Sequence, residues 1–337
     1  MGTAVFKLLL IFILKLYIQF KSINQLNMFT NRRQFLKGAA TLSAGLALTS
    51  RSFGANFPKN DFFEISLAEW SLHRALFAKK IDNLDFPFIA KRDYGISVVE
   101  YVNQFFKDKA NDTAYLSELL KRCKDNGVKN HLIMIDGEGG LATLDDKKRL
   151  TAVENHYKWV DAAKYLGCKT IRVNAQGEGS REDVQKAAID GLSKLGEYGQ
   201  KAGINIIVEN HGGVSSDGQW LSGVMKGINK KNVGTLPDLG NFCLKRGPEN
   251  TCAEEYDRYK GTQEMLPFAK GVSAKTHDFD EAGNCIETDY YRMFKYIKNS
   301  GFKGYIGIEY EGDKISEEEG IRKTKALIEK VAATLQA

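Results

Sequence analysis

The chain has 337 residues, a formal net charge of +6, and 43% hydrophobic and 27% charged residues. Those fractions are ordinary for a globular protein and exclude a disordered, collagenous or membrane-bundle chain as the main architecture. The charge sits at the start: residues 1–55 carry seven Lys/Arg and no Asp or Glu, which leaves residues 56–337 near −1 and removes a bulk electrostatic case for nucleic-acid binding.

The first elements in chain order are read as targeting signals. Ala4–Phe20 is an apolar run of membrane-span length, interrupted by Lys7 and Lys15. A second signal follows Arg32-Arg33-Gln34-Phe35-Leu36-Lys37: a modest apolar stretch that exits in small residues near Ser52–Ala55. The paired arginines resemble a twin-arginine leader. Such leaders begin a few residues before the arginines, so Met28 is the expected start, and an anchor helix in residues 1–27 is the alternative. The expectation is an exported, periplasmic protein that meets the membrane only through its leader. Residues 1–55 are assigned to that leader and 56–337 to one catalytic domain. The five cysteines are odd in number and lack Cys-x-x-Cys spacing, which predicts buried free thiols rather than a disulfide scaffold or a structural zinc.

In the body, eight β-rich runs alternate with helical patterns. The runs are Phe62–Leu67, Ser97–Val102, Asn130–Ile135, Thr170–Asn174, Asn205–Glu209, Val233–Asp238, Gly271–His277 and Tyr305–Tyr310. Between them apolar residues recur at three and four, as in Val153-Tyr157-Val160-Ala163-Leu166. Gly127, Gly167, Gly203 and Gly301 stand where a helix would stop. Strand–helix alternation implies parallel strands with right-handed crossovers, and eight units in this length predict an α/β fold of the (β/α)₈ TIM-barrel type. A doubly wound sheet is the alternative, but the segment after Leu67 has no Gly-x-Gly-x-x-Gly turn.

The site of such a barrel lies at the carboxyl ends of its strands. There the fifth strand reads Glu209-Asn210-His211, the sixth Asp238-Leu239-Gly240-Asn241, the seventh Lys275-Thr276-His277-Asp278 and the eighth Glu309-Tyr310-Glu311. Residues two apart share a strand face, so Glu209 pairs with His211, Lys275 with His277 and Glu309 with Glu311. Charge ending an apolar strand must be paired or metal-bound. One reading is an ion-pair network with Lys275 bridging two carboxylates. The sharper one is a divalent ion held by Glu209, Asp238, His277 and Glu309, a hard donor set suited to Mn²⁺ or Mg²⁺, with Co²⁺ or Zn²⁺ as alternatives.

Further candidates are weaker. Glu100 ends the second strand and would bind substrate hydroxyls or pair with a base. Asn174 and Gln176 share a face after the fourth strand as substrate donors. Gly177-x-Gly179-Ser180 precedes a helix and is read as a plain turn, with a phosphate held at the helix terminus as the alternative. Trp70, Phe105 and Phe106 are aromatic and packing is their default, with sugar stacking as the alternative. His73 and Trp220 are loop candidates. His131 opens the third strand, so it is expected at the opposite end of the barrel.

The runs Val-Glu-Asn-His, Pro-Asp-Leu-Gly-Asn, Ala-Lys-Thr-His-Asp-Phe-Asp and Tyr-Ile-Gly-Ile-Glu-Tyr-Glu-Gly resemble the xylose-isomerase-like barrels over roughly residues 60–335. That superfamily includes sugar and sugar-phosphate isomerases and epimerases, inosose dehydratases and type-IV apurinic endonucleases. The resemblance implies that Glu209 and Glu309 ligate a metal and also move protons, with Asp238 as the sixth-strand ligand. Two departures stand out. Asn241 replaces a common histidine, and Asn hydrogen-bonds a hydroxyl without shuttling protons. Anchoring the seventh-strand His-x-Lys-Asp pattern on Asp278 puts Lys275 at the ligand position and His277 at the lysine position. Either His277 reaches the metal or Lys275 contacts substrate.

The expected activity is a metal-dependent sugar isomerase or epimerase working through an enediolate, with Glu209, Glu309 and Lys275 as catalytic residues and a small carbohydrate substrate bound by His211, Asn174, Glu100 and Asn241. A keto-sugar or keto-glycoside lyase or dehydratase shares the first step, and a metal-free sugar-binding barrel is a third reading. A nucleic-acid partner is disfavoured, since a multi-zinc endonuclease needs more than the five histidines present. Assembly into a homo-oligomer is left open.

Overall fold

The computed structural model describes residues 62–336. The leader, the Met28 start and the twin-arginine motif lie outside them. Among the described residues no helix is long and apolar enough to cross a membrane.

Among the described residues ten strands occur: β1 (Phe63–Ala68), β2 (Val98–Val102), β3 (Lys129–Met134), β4 (Thr170–Val173), β5 (Asn205–Glu209), β6 (Val233–Leu236), β7 (Cys243–Arg246), β8 (Cys252–Glu255), β9 (Val272–Thr276) and β10 (Gly304–Tyr310). Eight form one parallel sheet in the order β6-β5-β4-β3-β2-β1-β10-β9. Single parallel bridges, Thr235 to Ala269 and Asp238 to Ser273, join its two edges. The result is a nearly closed (β/α)₈ barrel, and each of the eight expected runs supplies one of its strands. The helices Asp146–Leu166 and Arg181–Ala202 end on Gly167 and Gly203, both at φ 78°, the left-handed stop that glycine adopts without strain.

Strand alternation divides the core. Leu67, Tyr101, Ile133, Ile171, Val208 and Ile308 face outward into the large apolar layer beneath the helices. The residues between them face the barrel axis, where only a small apolar group of Ala68, Val102, Leu132, Met134, Ile207 and Leu236 collects. Polar residues of this parity are buried beside it: Ser66, Glu100, Arg172, Glu209, Ser273, Lys275 and Glu309. Gly307 makes room among them, since a Cβ there would lie 2.7 Å from the Glu100 carboxylate.

The cysteine expectation needs correction. Cys123, Cys168 and Cys285 are buried free thiols, but Cys243 and Cys252 form a disulfide. These two cysteines lie on the antiparallel hairpin β7–β8, inserted between the sixth and seventh barrel strands, which brings their Cα atoms to 5.6 Å. That separation is within the range a disulfide spans.

His131 lies on β3 away from the carboxyl end, buried and 4.2 Å from the Tyr305 ring centroid. Burial, with the Lys129 charge adding to it, pushes its imidazole down to about 4 from 6.5. A depressed base is neutral when folded, so its stability contribution is complete above pH 6.5 and is lost as pH falls towards 4. The full linkage is roughly 3 kcal/mol. We expect His131→Phe to flatten the fall in unfolding free energy between pH 7 and pH 4.5 in urea titrations. Parallel pH profiles for the variant and the wild type would contradict this.

Candidate active site

Three carboxylates meet at the barrel mouth. Glu209 is the last residue of β5, Asp238 follows Pro237 beyond β6, and Glu309 lies within β10. One oxygen from each falls within 4.8 Å of the others, and all three residues are buried. Ser273 on β9 joins two of them, with its Oγ 2.8 Å from Asp238 Oδ2 and 2.9 Å from Glu309 Oε2. A hydroxyl has one proton to give, so Ser273 donates to one of these two oxygens at a time. Asp238 is fixed further by the backbone amides of Gly240 and Asn241, which donate to Oδ1 at 2.8 and 2.9 Å. Asn210 locks the same turn by accepting from the Asp238 amide at 2.7 Å and donating to its carbonyl.

Two buried cations offset this charge. Lys275 stands opposite Glu309 in the β9–β10 register. Its Nζ lies 2.9 Å from Glu309, 3.1 Å from Glu311 and 3.5 Å from Asp238. Arg172 projects inward from β4, placing Nε 2.8 Å from Glu209 Oε2 and Nη1 2.8 Å from Asp136. The Glu209 contact is close but poorly aligned, leaving both atoms without a hydrogen bond. Burial pushes Glu209 and Asp238 up to about 7, against the opposing pull of the cations. Desolvation opposes the charge on Lys275, but Asp238, Glu309, Glu311 and Glu209 outweigh it and hold the amine charged.

The other expected residues take varied places. Asn241 donates to Glu209 at 3.0 Å, and Asn174 donates to Asp136 at 2.7 Å. Glu100 lies deeper on the axis, where it accepts from Ser66 and burial raises it to about 7; its second oxygen has no partner. His211 lines an open cleft of roughly 230 Å³ with Asn241, Arg246, Arg258, His277 and Glu311. His277 lies past the end of β9, its side chain 43% exposed and its Nε2 3.7 Å from Glu311. It therefore stands outside the carboxylate cluster, and Lys275 occupies the inner seventh-strand position. Gly177 packs against the Ala142 carbonyl, and Ser180 caps the helix Arg181–Ala202. Trp70 donates through Nε1 to Glu311 and packs beside Phe105, whereas Phe106 is buried in the outer core.

Sequence reasoning missed Arg172, Asp136 and Ser273. Arg172 had a usable signal: it precedes Asn174 by two, so strand alternation aims it at the axis.

Three carboxylates within 4.8 Å, one with a buried oxygen that accepts no aligned hydrogen bond, can hold a hard cation. No imidazole joins them among the described residues.

The chain matches a family model described as the xylose isomerase-like TIM barrel over residues 88–331. No curated protein matches it in sequence. An L-ribulose 3-epimerase superposes with a TM-score of 0.62 at 15% identity, over 81% of this chain and 96% of its own. A sugar phosphate isomerase/epimerase from Parabacteroides distasonis gives 0.61 at 17% identity, over 81% and 95%. An IOLI protein with a bound zinc atom gives 0.61 at 15% identity, over 81% and 99%. At these identities the likeness is one of fold.

Removing the Arg172 guanidinium takes the cation from the buried Glu209 and the half-buried Asp136. We expect Arg172→Met to cost about 3 kcal/mol of unfolding free energy in urea at pH 7. A loss below about 1 kcal/mol would show that the pair adds little over its desolvation cost.

Proposed function

The chain belongs to the xylose isomerase-like TIM barrel family, and from that premise we propose that it is a metal-dependent sugar isomerase or epimerase. The observation that carries this reading is the approach of Glu209 and Glu309, from the fifth and eighth barrel strands, to within 4.8 Å at the mouth. Two carboxylates so placed can take a proton from a carbon next to a carbonyl and return one to another face or to the neighbouring carbon. In the ion-free protein, burial raises the Glu209 carboxyl to about 7. A divalent ion held by Glu209, Asp238 and Glu309, with Mn²⁺ or Mg²⁺ favoured over Co²⁺ or Zn²⁺, would polarise the carbonyl and balance the enediolate charge.

The remaining residues orient the sugar. Asn241 steers Glu209 by donating to it at 3.0 Å, and Arg172 backs the same carboxylate. Asn174 and His211 present polar groups at the mouth, Glu100 closes the floor, and Lys275 supplies positive charge beside Glu309. His277 stands at the rim and serves as a substrate contact in this reading. The twin-arginine reading of the leader places the activity outside the cytoplasm. A free or oxidised sugar then suits it better than a phosphorylated intermediate. Elimination from a keto-sugar would begin with the same proton abstraction and would be seen as an unsaturated product.

The test is a panel of ketoses and keto-glycosides with product analysis. On the sugar that turns over, Glu309→Gln and Glu209→Gln should each lower kcat about 10³-fold with the fold intact by circular dichroism. Exhaustive chelation should abolish turnover and Mn²⁺ should restore it. Wild-type rates in either glutamine variant would overturn the proton-transfer roles.

A further inference from the structure

Lys275 occupies an unusual place for a buried amine. Its Nζ bridges an inner pair of carboxylates, Glu309 at 2.9 Å and Asp238 at 3.5 Å, and an outer one, Glu311 at 3.1 Å. The inner pair belongs to the acidic triad, whereas Glu311 is partly exposed at the cleft and is held there by Trp70. The lysine stem runs through a prepared gap: a Cβ on Gly240 would lie 2.7 Å from Lys275 Cγ. Glu209 completes the triad, with a fully buried Oε2 that has no hydrogen bond.

We propose that Lys275 is an exchangeable internal cation of the metal site. This rests on the metal reading given above. In the ion-free protein the ammonium holds the inner position and pairs with Asp238 and Glu309. A divalent ion taking Glu209, Asp238 and Glu309 competes with the ammonium for the same oxygens and repels it as a like charge. The amine then retreats to Glu311, already within hydrogen-bond reach on its outer side. A four-carbon stem ending in a compact, freely rotating donor suits such a shift, where a planar guanidinium would not. The exchange has three consequences. The triad remains folded without the ion, and ion affinity is lowered by the work of displacing the ammonium. It also brings the lysine to the cleft, beside Glu311, where it can meet a substrate oxygen.

The experiment titrates MnCl₂ into the chelator-stripped full-length chain, read by calorimetry and by the Mn²⁺ paramagnetic resonance signal. Lys275→Met keeps the length of the stem and removes its charge. We expect it to bind Mn²⁺ at least about tenfold more tightly than wild type. Its metal-free form should melt at lower temperature than metal-free wild type, with Mn²⁺ restoring the difference. Equal or weaker Mn²⁺ binding by Lys275→Met would overturn the exchange while leaving the metal reading standing. Binding of no Mn²⁺ by either protein would overturn both. Should the variant fail to fold, a crystal structure of the Mn²⁺-loaded wild type decides. Nζ beside Glu311 and clear of Glu309 supports the exchange, and Nζ still hydrogen-bonded to Glu309 overturns it.

Discussion

The mouth of this barrel depends on burying three carboxylates together without letting them repel one another apart. Glu209, Asp238 and Glu309 come from separate strands, and no local contact would gather them. What holds them is a cation on each flank, Arg172 against Glu209 and Lys275 against Asp238 and Glu309. Ser273 and the amides of Gly240 and Asn241 satisfy much of the remaining acceptor capacity. Single buried charges cost several kcal/mol, whereas a mutually satisfied cluster can be close to neutral. Even the glycines follow from this requirement, since Gly307 clears the Glu100 carboxylate and Gly240 clears the Lys275 stem.

That charge balance also gives the site its chemistry. A carboxylate out of water but only partly compensated has its proton affinity raised towards neutrality, as burial does to Glu209 and Asp238. The same balance leaves Glu209 Oε2 without an aligned donor. An unspent acceptor beside two other hard oxygens is what a metal requires of a protein before it arrives. The structural requirement and the proposed function are thus met by the same residues. A lysine, not a histidine, faces Glu309 across the β9–β10 register.

Much of this was legible in the chain. The eight barrel strands were readable because each is a β-rich run, and several follow a helix that stops at glycine, as at Gly167 and Gly203. Glu209, Asp238 and Glu309 were readable because a charge at the end of an apolar strand demands a partner. Lys275 and His277 were not separable by parity, since they share a face. Depth along the strand separates them: Lys275 lies within β9, and His277 lies past its end. The Cys243–Cys252 hairpin escaped because it is an insertion outside the strand–helix repeat. Arg172 escaped because charge was sought at strand ends, while this one enters from within β4.

The central claim is that carboxylates at this mouth remove a proton from carbon next to a carbonyl. The most direct measurement is turnover of an accepted ketose in deuterated buffer, followed by NMR at the carbon adjacent to the carbonyl. The account predicts deuterium at that carbon in wild type, at least as fast as product forms, and little in Glu309→Gln. Product formed with no deuterium incorporated would contradict it, because hydrogen would then have moved without exchanging from either carboxyl.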